Sequence, residues 1–102
     1  MISVSKEEME IILGIINKYA ADCDVLVFGS RYKQTPKVYS DLDLAFDSGK
    51  PLNIMRIQQL KEAFEESILP YRVDVVDYRA VSDNFRGIID RGNEWIFQKY
   101  DR

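Results

Sequence analysis

Histidine is absent from this 102-residue sequence, and cysteine occurs once, at Cys23. The lack of histidine excludes Ser-His and Cys-His nucleophile chemistry, because both need an imidazole base. A single cysteine cannot form an intramolecular disulfide or a CxxC zinc site, so we expect Cys23 to be an inert buried thiol. Any reaction that this chain carries out must therefore use carboxylates, hydroxyls, Lys, Arg or a hard metal ion.

Long apolar runs and a strong excess of either charge are also missing. No stretch of about 18 apolar residues could span a membrane, and no charged-then-apolar leader for export is present, so we expect a cytoplasmic protein. The net charge of −3 argues against direct nucleic-acid binding, which normally uses a basic surface. An apolar fraction of 46% over 102 residues is ordinary globular composition, and we predict a single domain spanning residues 1–102.

Helix caps and short β-branched runs predict the element order αβ(loop)βαβαβ. Ser5, followed three residues later by Glu8, forms a capping box that opens the first helix. Asn53 and Ser82 are N-cap residues before the second and third helices. Apolar runs bounded by turn residues predict strands over residues 24–28, 40–47, 71–77 and 95–97.

The connection between the first two strands, residues 30–39, determines how they can pair. It is short and therefore favours antiparallel pairing, whereas the later helices allow crossovers. We predict an α+β (mixed α/β) fold, in which a small mixed β-sheet carries helices chiefly on one face. The second helix, which Pro70 ends, is expected to bury Ile54, Ile57, Leu60, Phe64 and Ile68.

The strand predicted over residues 40–47 carries two acids inside an apolar run. Asp41 and Asp43 project from the same face, with Cβ atoms roughly 6.6–7 Å apart. Two carboxylates at that distance repel each other and partial burial would disfavour their charged forms, whereas a divalent cation between them would remove both penalties. Asp74, on the polar face of the third strand, adds a third carboxylate if that strand neighbours the second. Asp77 is expected to face away from Asp74, as a surface acid at the strand end.

Magnesium suits a site built from carboxylates, because it is a hard cation that prefers oxygen ligands. Three acids on one sheet face can hold two such ions about 4 Å apart, the arrangement used in phosphoryl and nucleotidyl transfer. An Asp-x-Asp pair taken alone also fits an ordinary strand with a solvated face.

The segment after the first strand has the features of a phosphate-binding loop. Gly29 lets a phosphate approach the backbone, and Ser30 offers an N–H and a hydroxyl. Arg31, Lys33 and Lys37 concentrate positive charge beside the acids of an otherwise acidic chain. Separately, these residues fit a strand-ending turn and a solvated loop. Together with the acids, they indicate a nucleoside triphosphate site.

The three motifs in this order resemble the minimal nucleotidyltransferases (MNT proteins) of the DNA polymerase beta superfamily. The resemblance rests on Gly-Ser-Arg at 29–31, Ser-Asp-Leu-Asp-Leu at 40–44 and Val-Asp-Val-Val at 73–76. It covers nearly the whole chain and implies the nucleotidyltransferase fold. One departure is that the family usually has glycine about where Gln34 stands, and Thr-Pro-Lys follows here at 35–37.

The resemblance also implies a role for each matching residue. Asp41 and Asp43 would bind both magnesium ions, and Asp74 would complete one site and help deprotonate the attacking hydroxyl. The triphosphate of ATP would be held by Gly29 and Ser30, with Arg31 close to it.

MNT proteins are typically antitoxins paired with HEPN-domain ribonuclease toxins. The resemblance therefore implies transfer of AMP from ATP to a tyrosine hydroxyl of such a partner, with release of pyrophosphate. A domain of this size has no second lobe to hold an acceptor, which also favours an acceptor presented by another protein. The candidate docking surface consists of Trp95, Ile96, Phe97 and Tyr100, which also fit a closing strand packed into the core.

Two other functions are compatible with the sequence. The first is a binding module with a vestigial active site, which neutralises a toxin by occlusion; the altered loop at Gln34 favours it. The second is a nucleotidyltransferase for antibiotics or other small molecules, which the absence of a substrate-binding lobe disfavours. Intact Asp41, Asp43 and Asp74 favour the enzyme that modifies a protein.

Overall fold

The structure is a computed structural model that describes residues 3–33 and 40–99. Within these ranges helices and strands alternate along most of the chain. The elements are α1 (Lys6–Tyr19), β1 (Asp24–Phe28), α2 (Ser30–Lys33), β2 (Leu42–Asp47), α3 (Ile54–Glu65), β3 (Val73–Asp77), α4 (Asp83–Asp90) and β4 (Glu94–Phe97). Their order confirms the predicted one, with the addition of the single-turn helix α2.

The predicted N-caps are all present. Ser5 Oγ accepts a hydrogen bond from Glu8 N at 3.1 Å, and Glu8 Oε1 accepts one from Ser5 N at 2.9 Å, which is the complete capping box. The side chains of Asn53 and Ser82 accept hydrogen bonds from the backbone N–H three residues on. These bonds satisfy N–H groups that the first helical turn leaves without a partner.

The prediction for the buried side of α3 is partly wrong. Leu60 and Phe64 are buried, but Ile54 and Ile68 are 74% and 86% exposed. Ile54 lies roughly 80–120° around the helix from Leu60 and Phe64, because each residue turns the helix by about 100°. Ile68 lies beyond the end of the helix, which stops at Glu65, well before Pro70.

The strands form one mixed sheet in the order β3-β2-β1-β4. β1 pairs antiparallel with β2, as the short connection predicts, and antiparallel with β4. β2 and β3 are parallel, and α3 makes the connection between them. The sheet therefore places the two acid-bearing strands side by side.

Each face of the sheet has its own core. The larger core packs α1 and α3 against alternate residues of the strands, including Val27, Leu44 and Phe46. The smaller core, on the other face, contains Leu26, Phe28, Ala45 and Ile89 of α4. Helices thus lie chiefly on one face, which confirms the predicted fold class. Ala45 in the smaller core also shows which face Asp43, two residues earlier, shares.

Two further observations concern the sequence predictions. Cys23 is fully buried, and burial raises the pKa of its thiol to about 12, so this cysteine is present as an unreactive thiol. None of the helices in residues 3–33 and 40–99 has the length and hydropathy required to cross a lipid bilayer.

Candidate active site

Strand register brings the predicted acids together at one end of the sheet. In the parallel pair β2–β3, Asp43 lies opposite Asp74. Asp41 is just before β2, where Leu42 N donates a hydrogen bond to Arg72 O at 2.8 Å. The expectation that the third strand neighbours the second is therefore confirmed, and Asp74 lies beside the Asp-x-Asp pair.

Arg72 forms ion pairs with the two outer acids. Its Nη2 atom is 3.2 Å from Asp41 Oδ2 and 3.1 Å from Asp74 Oδ1. The arginine side chain is 72% exposed, whereas those of Asp41 and Asp74 are 38% and 37% exposed. The sequence does not predict these ion pairs, although Arg72 and Asp74, two residues apart on an extended chain, are expected on the same face.

The surroundings of Asp43 disfavour the charged form of its carboxyl group. Burial, the neighbouring Asp74 carboxylate and a hydrogen bond between the two raise the pKa of Asp43 to about 6, and Asp41 adds to the effect. The Arg72 guanidinium opposes this shift only in part. The site therefore concentrates negative charge that the described residues do not fully neutralise, a common property of cation-binding and catalytic sites.

Gly29 is in direct contact with Asp43. Its φ angle is 79°, a left-handed conformation that side-chain-bearing residues rarely adopt. A Cβ atom built on Gly29 would overlap Asp43 Oδ2. The glycine of the predicted phosphate loop thus lies against the central carboxylate, and both its conformation and its missing side chain are needed there. Ser30, half-buried, follows as the first residue of α2.

The Arg31 side chain points into the protein. It is buried, with Nε donating to Ser40 O and Nη1 donating to Ser3 O, both at 2.9 Å. Its guanidinium lies 3.8 Å from the centroid of the Tyr71 ring, a distance suited to a cation–π contact. Arg31 therefore joins α2 to the segments that precede α1, β2 and β3. Its predicted place close to a triphosphate stays a prediction.

Several sequence predictions fall on other parts of the chain. Gln34, Lys37 and Tyr100 lie outside the described residues. In β4, Ile96 and Phe97 pack against the larger core, as expected for a closing strand, while Trp95 is 44% exposed. Asp77 is wrongly predicted as a surface acid.

Asp77 faces the opposite side of the sheet from the acid cluster, and it is buried. Its carboxylate accepts hydrogen bonds from Leu52 N at 2.8 Å and from Arg79 N at 3.1 Å. These two bonds fix the chain before α3 and the turn after β3. Burial of this carboxylate is acceptable because two backbone donors satisfy it.

The three acids suit magnesium by their chemistry, since they offer only hard oxygen ligands. In the structure, however, the arrangement of these three side chains differs from that of a metal site. Among residues 3–33 and 40–99, no three acidic or cysteine side chains converge closely enough to hold one ion. Arg72 bridges Asp41 and Asp74, so a cation that used the same two oxygen atoms would compete with its guanidinium.

Solved structures with the same fold include toxin–antitoxin complexes. A crystal structure of a toxin-antitoxin with AMP-PNP matches with a TM-score of 0.75 at 20% identity, covering 91% of this chain and 74% of that one. A structure of tri-AMPylated Shewanella oneidensis HEPN toxin in complex with MNT antitoxin matches with a TM-score of 0.70 at 17% identity, covering 92% and 72%. At these identities the likeness establishes the nucleotidyltransferase fold.

Sequence comparison establishes the family. The model of the family described as "Polymerase beta, Nucleotidyltransferase" matches residues 10–102. A curated relative, the probable protein adenylyltransferase MntA of Haemophilus influenzae, is 46% identical over 88 residues, which cover 86% of this chain and 77% of the relative. The chain belongs to the polymerase beta nucleotidyltransferase family.

Proposed function

We propose that this chain is a magnesium-dependent protein adenylyltransferase that acts as an antitoxin. It transfers AMP from ATP to a hydroxyl of a protein partner, a tyrosine of a HEPN-domain toxin, in the cytoplasm. Residues 1–102 act as one minimal nucleotidyltransferase domain. The observation that carries the proposal is the contact of Gly29 with Asp43, beside Asp74, at one end of the sheet.

The reaction exchanges a phosphoanhydride bond of ATP for a phosphoester bond to the acceptor. The acceptor oxygen attacks the α-phosphorus of ATP, the bond from that phosphorus to the bridging oxygen breaks, and pyrophosphate leaves. Asp74, half-buried and beside Asp43, accepts the proton of the attacking hydroxyl. The backbone of Gly29 and the N–H and hydroxyl of Ser30 orient the triphosphate.

The carboxylates also define where magnesium would be held. Asp41 and Asp43 would bind both ions and Asp74 would complete one of the two sites. Bound magnesium neutralises phosphate charge and stabilises the attacking and leaving oxygens. The donor chemistry of the three acids and the raised pKa of Asp43 support this assignment.

The acceptor is inferred from the relatives. The H. influenzae relative is described as a probable protein adenylyltransferase, and the S. oneidensis antitoxin was solved with an AMPylated HEPN toxin. A tyrosine of a HEPN partner is therefore the acceptor that we propose here.

A second candidate function is occlusion of the partner by a catalytically weak module. The position of Arg72 between Asp41 and Asp74 favours it, because a guanidinium that pairs with both carboxylates would compete with a metal ion for them. Under this alternative, the partner is neutralised by contact alone and gains no mass.

The deciding experiment measures the intact mass of the partner after incubation with the chain, ATP and magnesium. The parent should add the mass of AMP. Asp74→Asn should retain ATP binding but reduce transfer by at least ~10²-fold, the scale expected for loss of a general base. Asp83→Asn, on an exposed acid at the start of α4, is the matched control and should transfer normally. No transfer by the parent would overturn the proposed enzyme, and normal transfer by Asp74→Asn would overturn the role of Asp74.

A further inference from the structure

Arg72 occupies the place that a metal ion would be expected to take between the outer acids. A single nitrogen, Nη2, lies within 3.2 Å of Asp41 and 3.1 Å of Asp74. The two carboxylates come from different segments of the sheet, so the guanidinium holds them toward one point. It does so from the solvent side, with a side chain that is 72% exposed.

The backbone of Arg72 is anchored, whereas its side chain lies largely in solvent. Arg72 O accepts the hydrogen bond of Leu42 N at 2.8 Å, which ties the residue between the two acid-bearing strands. The exposed side chain can leave the acids without opening a cavity or burying a charge. Departure of the guanidinium therefore leaves the fold and the positions of the strands unchanged.

A guanidinium and a divalent cation cannot use the same carboxylate oxygens together. Both need the lone pairs of Asp41 and Asp74, and their like charges repel at this separation. Loss of Arg72 from the site would leave three carboxylates whose mutual repulsion another cation would relieve. Arg72 and a metal ion would therefore compete for Oδ2 of Asp41 and Oδ1 of Asp74.

We infer that Arg72 is the internal counter-ion of the acid cluster, which holds Asp41 and Asp74 in place and is exchanged for the divalent cation on binding. This inference rests on the proposed function, because it assumes that these acids bind the metal. Arg72 is accordingly a positioning residue, and it sets the concentration of metal at which the site fills. Once displaced, its guanidinium stays at the mouth of the site on an exposed side chain.

The test measures metal binding in the absence of nucleotide and partner. Mn²⁺ is titrated into the full chain, and free Mn²⁺ is followed by electron paramagnetic resonance. Arg72→Gln should bind Mn²⁺ roughly 2- to 30-fold more tightly than the parent, the range expected when two exposed ion pairs no longer compete. Arg72→Lys keeps the positive charge, and its affinity for Mn²⁺ should be close to that of the parent.

Arg79→Gln is the matched control for the change in net charge. Arg79 is also an exposed arginine in an ion pair, with Asp47 at the opposite end of β2. The Arg79→Gln variant should bind Mn²⁺ with the same affinity as the parent. An equal increase in Arg72→Gln and Arg79→Gln would reduce the effect to net charge and overturn the inference, as would unchanged or weaker binding by Arg72→Gln.

Asp43→Asn separates the failure of this inference from the failure of the proposed function. If the parent binds Mn²⁺ and Asp43→Asn does not, the metal site is correct and the Arg72 comparison alone decides the inference. If neither the parent nor Arg72→Gln binds Mn²⁺, both the metal site and the inference fail. A second readout is the NMR signal of the Arg72 Nε–H group, which should shift when Mg²⁺ is added; binding of Mg²⁺ without a shift would overturn the exchange.

Discussion

Gly29 and Asp43 are in contact across the β1–β2 end of the sheet, and no side chain fits between them. The glycine has a φ angle of 79° and a Cβ at this position would overlap Asp43 Oδ2. The phosphate-loop glycine and the central acid are therefore coupled by packing. A change at Gly29 must alter the position of the Asp43 carboxylate or the path of the loop.

Gly29→Ala should lose both stability and metal binding. The left-handed conformation alone costs a residue with a side chain about 1–3 kcal/mol, and the overlap with Asp43 adds to it. Urea denaturation and Mn²⁺ titration measure the two effects. Gly14→Ala is the control, since nothing lies within 4 Å of a Cβ at Gly14 in α1, and it should stabilise the helix by about 0.5–1 kcal/mol. Normal Mn²⁺ affinity in Gly29→Ala would contradict the coupling.

Asp43→Asn should raise the melting temperature at neutral pH when no metal is present. The folded state raises the pKa of Asp43 from 3.8 to about 6, so it binds this proton more tightly than the unfolded chain does. The stability of the parent therefore falls as pH rises from about 4 to 6, and the variant escapes this loss. Above pH 6, we expect the melting temperature of Asp43→Asn to exceed that of the parent by several degrees, on a scale of about 4–8 °C per kcal/mol. Below pH 4, we expect no difference.

Asp22→Asn provides the control of opposite sign. Hydrogen bonds from Arg56 hold the pKa of Asp22 below its usual value, so the ionised carboxylate stabilises the fold above pH 4. Its replacement should lower the melting temperature slightly at neutral pH and have no effect in acid. A fall in melting temperature for Asp43→Asn at pH 7 would show that the Asp43 charge is not a source of strain.

Arg31→Lys should destabilise the fold by about 1.5–3 kcal/mol, the scale of a lost hydrogen bond to a charged group. Lysine cannot donate to Ser3 O and Ser40 O in the forked geometry of arginine or stack on Tyr71 in the same way. Arg91→Lys, at an exposed arginine after α4, should change stability by less than about 0.5 kcal/mol. Urea denaturation gives both values. Unchanged stability combined with weaker ATP binding would place Arg31 at the triphosphate instead.

Ser30→Ala distinguishes catalysis from occlusion. Loss of a hydrogen bond to a charged phosphate should reduce nucleotide affinity or transfer rate by roughly 10- to 150-fold, while the fold and the partner contacts persist. The variant should co-purify with the toxin without adding AMP to it, and it should fail to rescue growth when toxin is in excess. Ser48→Ala, beyond the opposite end of β2, should behave like the parent. Full rescue by Ser30→Ala at a substoichiometric dose, with no added mass, would exclude catalysis as the working mechanism.

The local features of the fold follow from the sequence because they depend on neighbouring residues. The caps at Ser5, Asn53 and Ser82 are formed within one helical turn, and the alternation of an extended chain predicts Asp41 and Asp43 on one face. The antiparallel pairing of β1 and β2 follows from a short connection. These predictions need no knowledge of distant contacts.

The details that the sequence does not predict depend on how separate segments meet. The ion pairs of Arg72 require the register of β2 and β3, and the burial of Asp77 requires the position of Leu52, 25 residues away in sequence. From the sequence alone, Arg31 is interpreted as a loop cation. Only the structure shows that it donates hydrogen bonds to the backbone oxygens of Ser3 and Ser40. The sequence thus predicts which acids lie close to Gly29, and the structure brings Asp43 and Asp74 together there, but the partners of Arg72, Asp77 and Arg31 are not predicted, and the catalytic roles of the acids stay predictions.

Asp74 belongs to β3, an outermost strand of the sheet that the described residues form, with order β3-β2-β1-β4. The proposed base therefore stands at a rim, with its side chain 37% exposed, and can be approached from beside the sheet as well as from its end. A hydroxyl that projects from the surface of a folded partner can reach such a rim directly. The acceptor need not be a loose tail threaded into a cleft, and two rigid bodies can meet there without either unfolding.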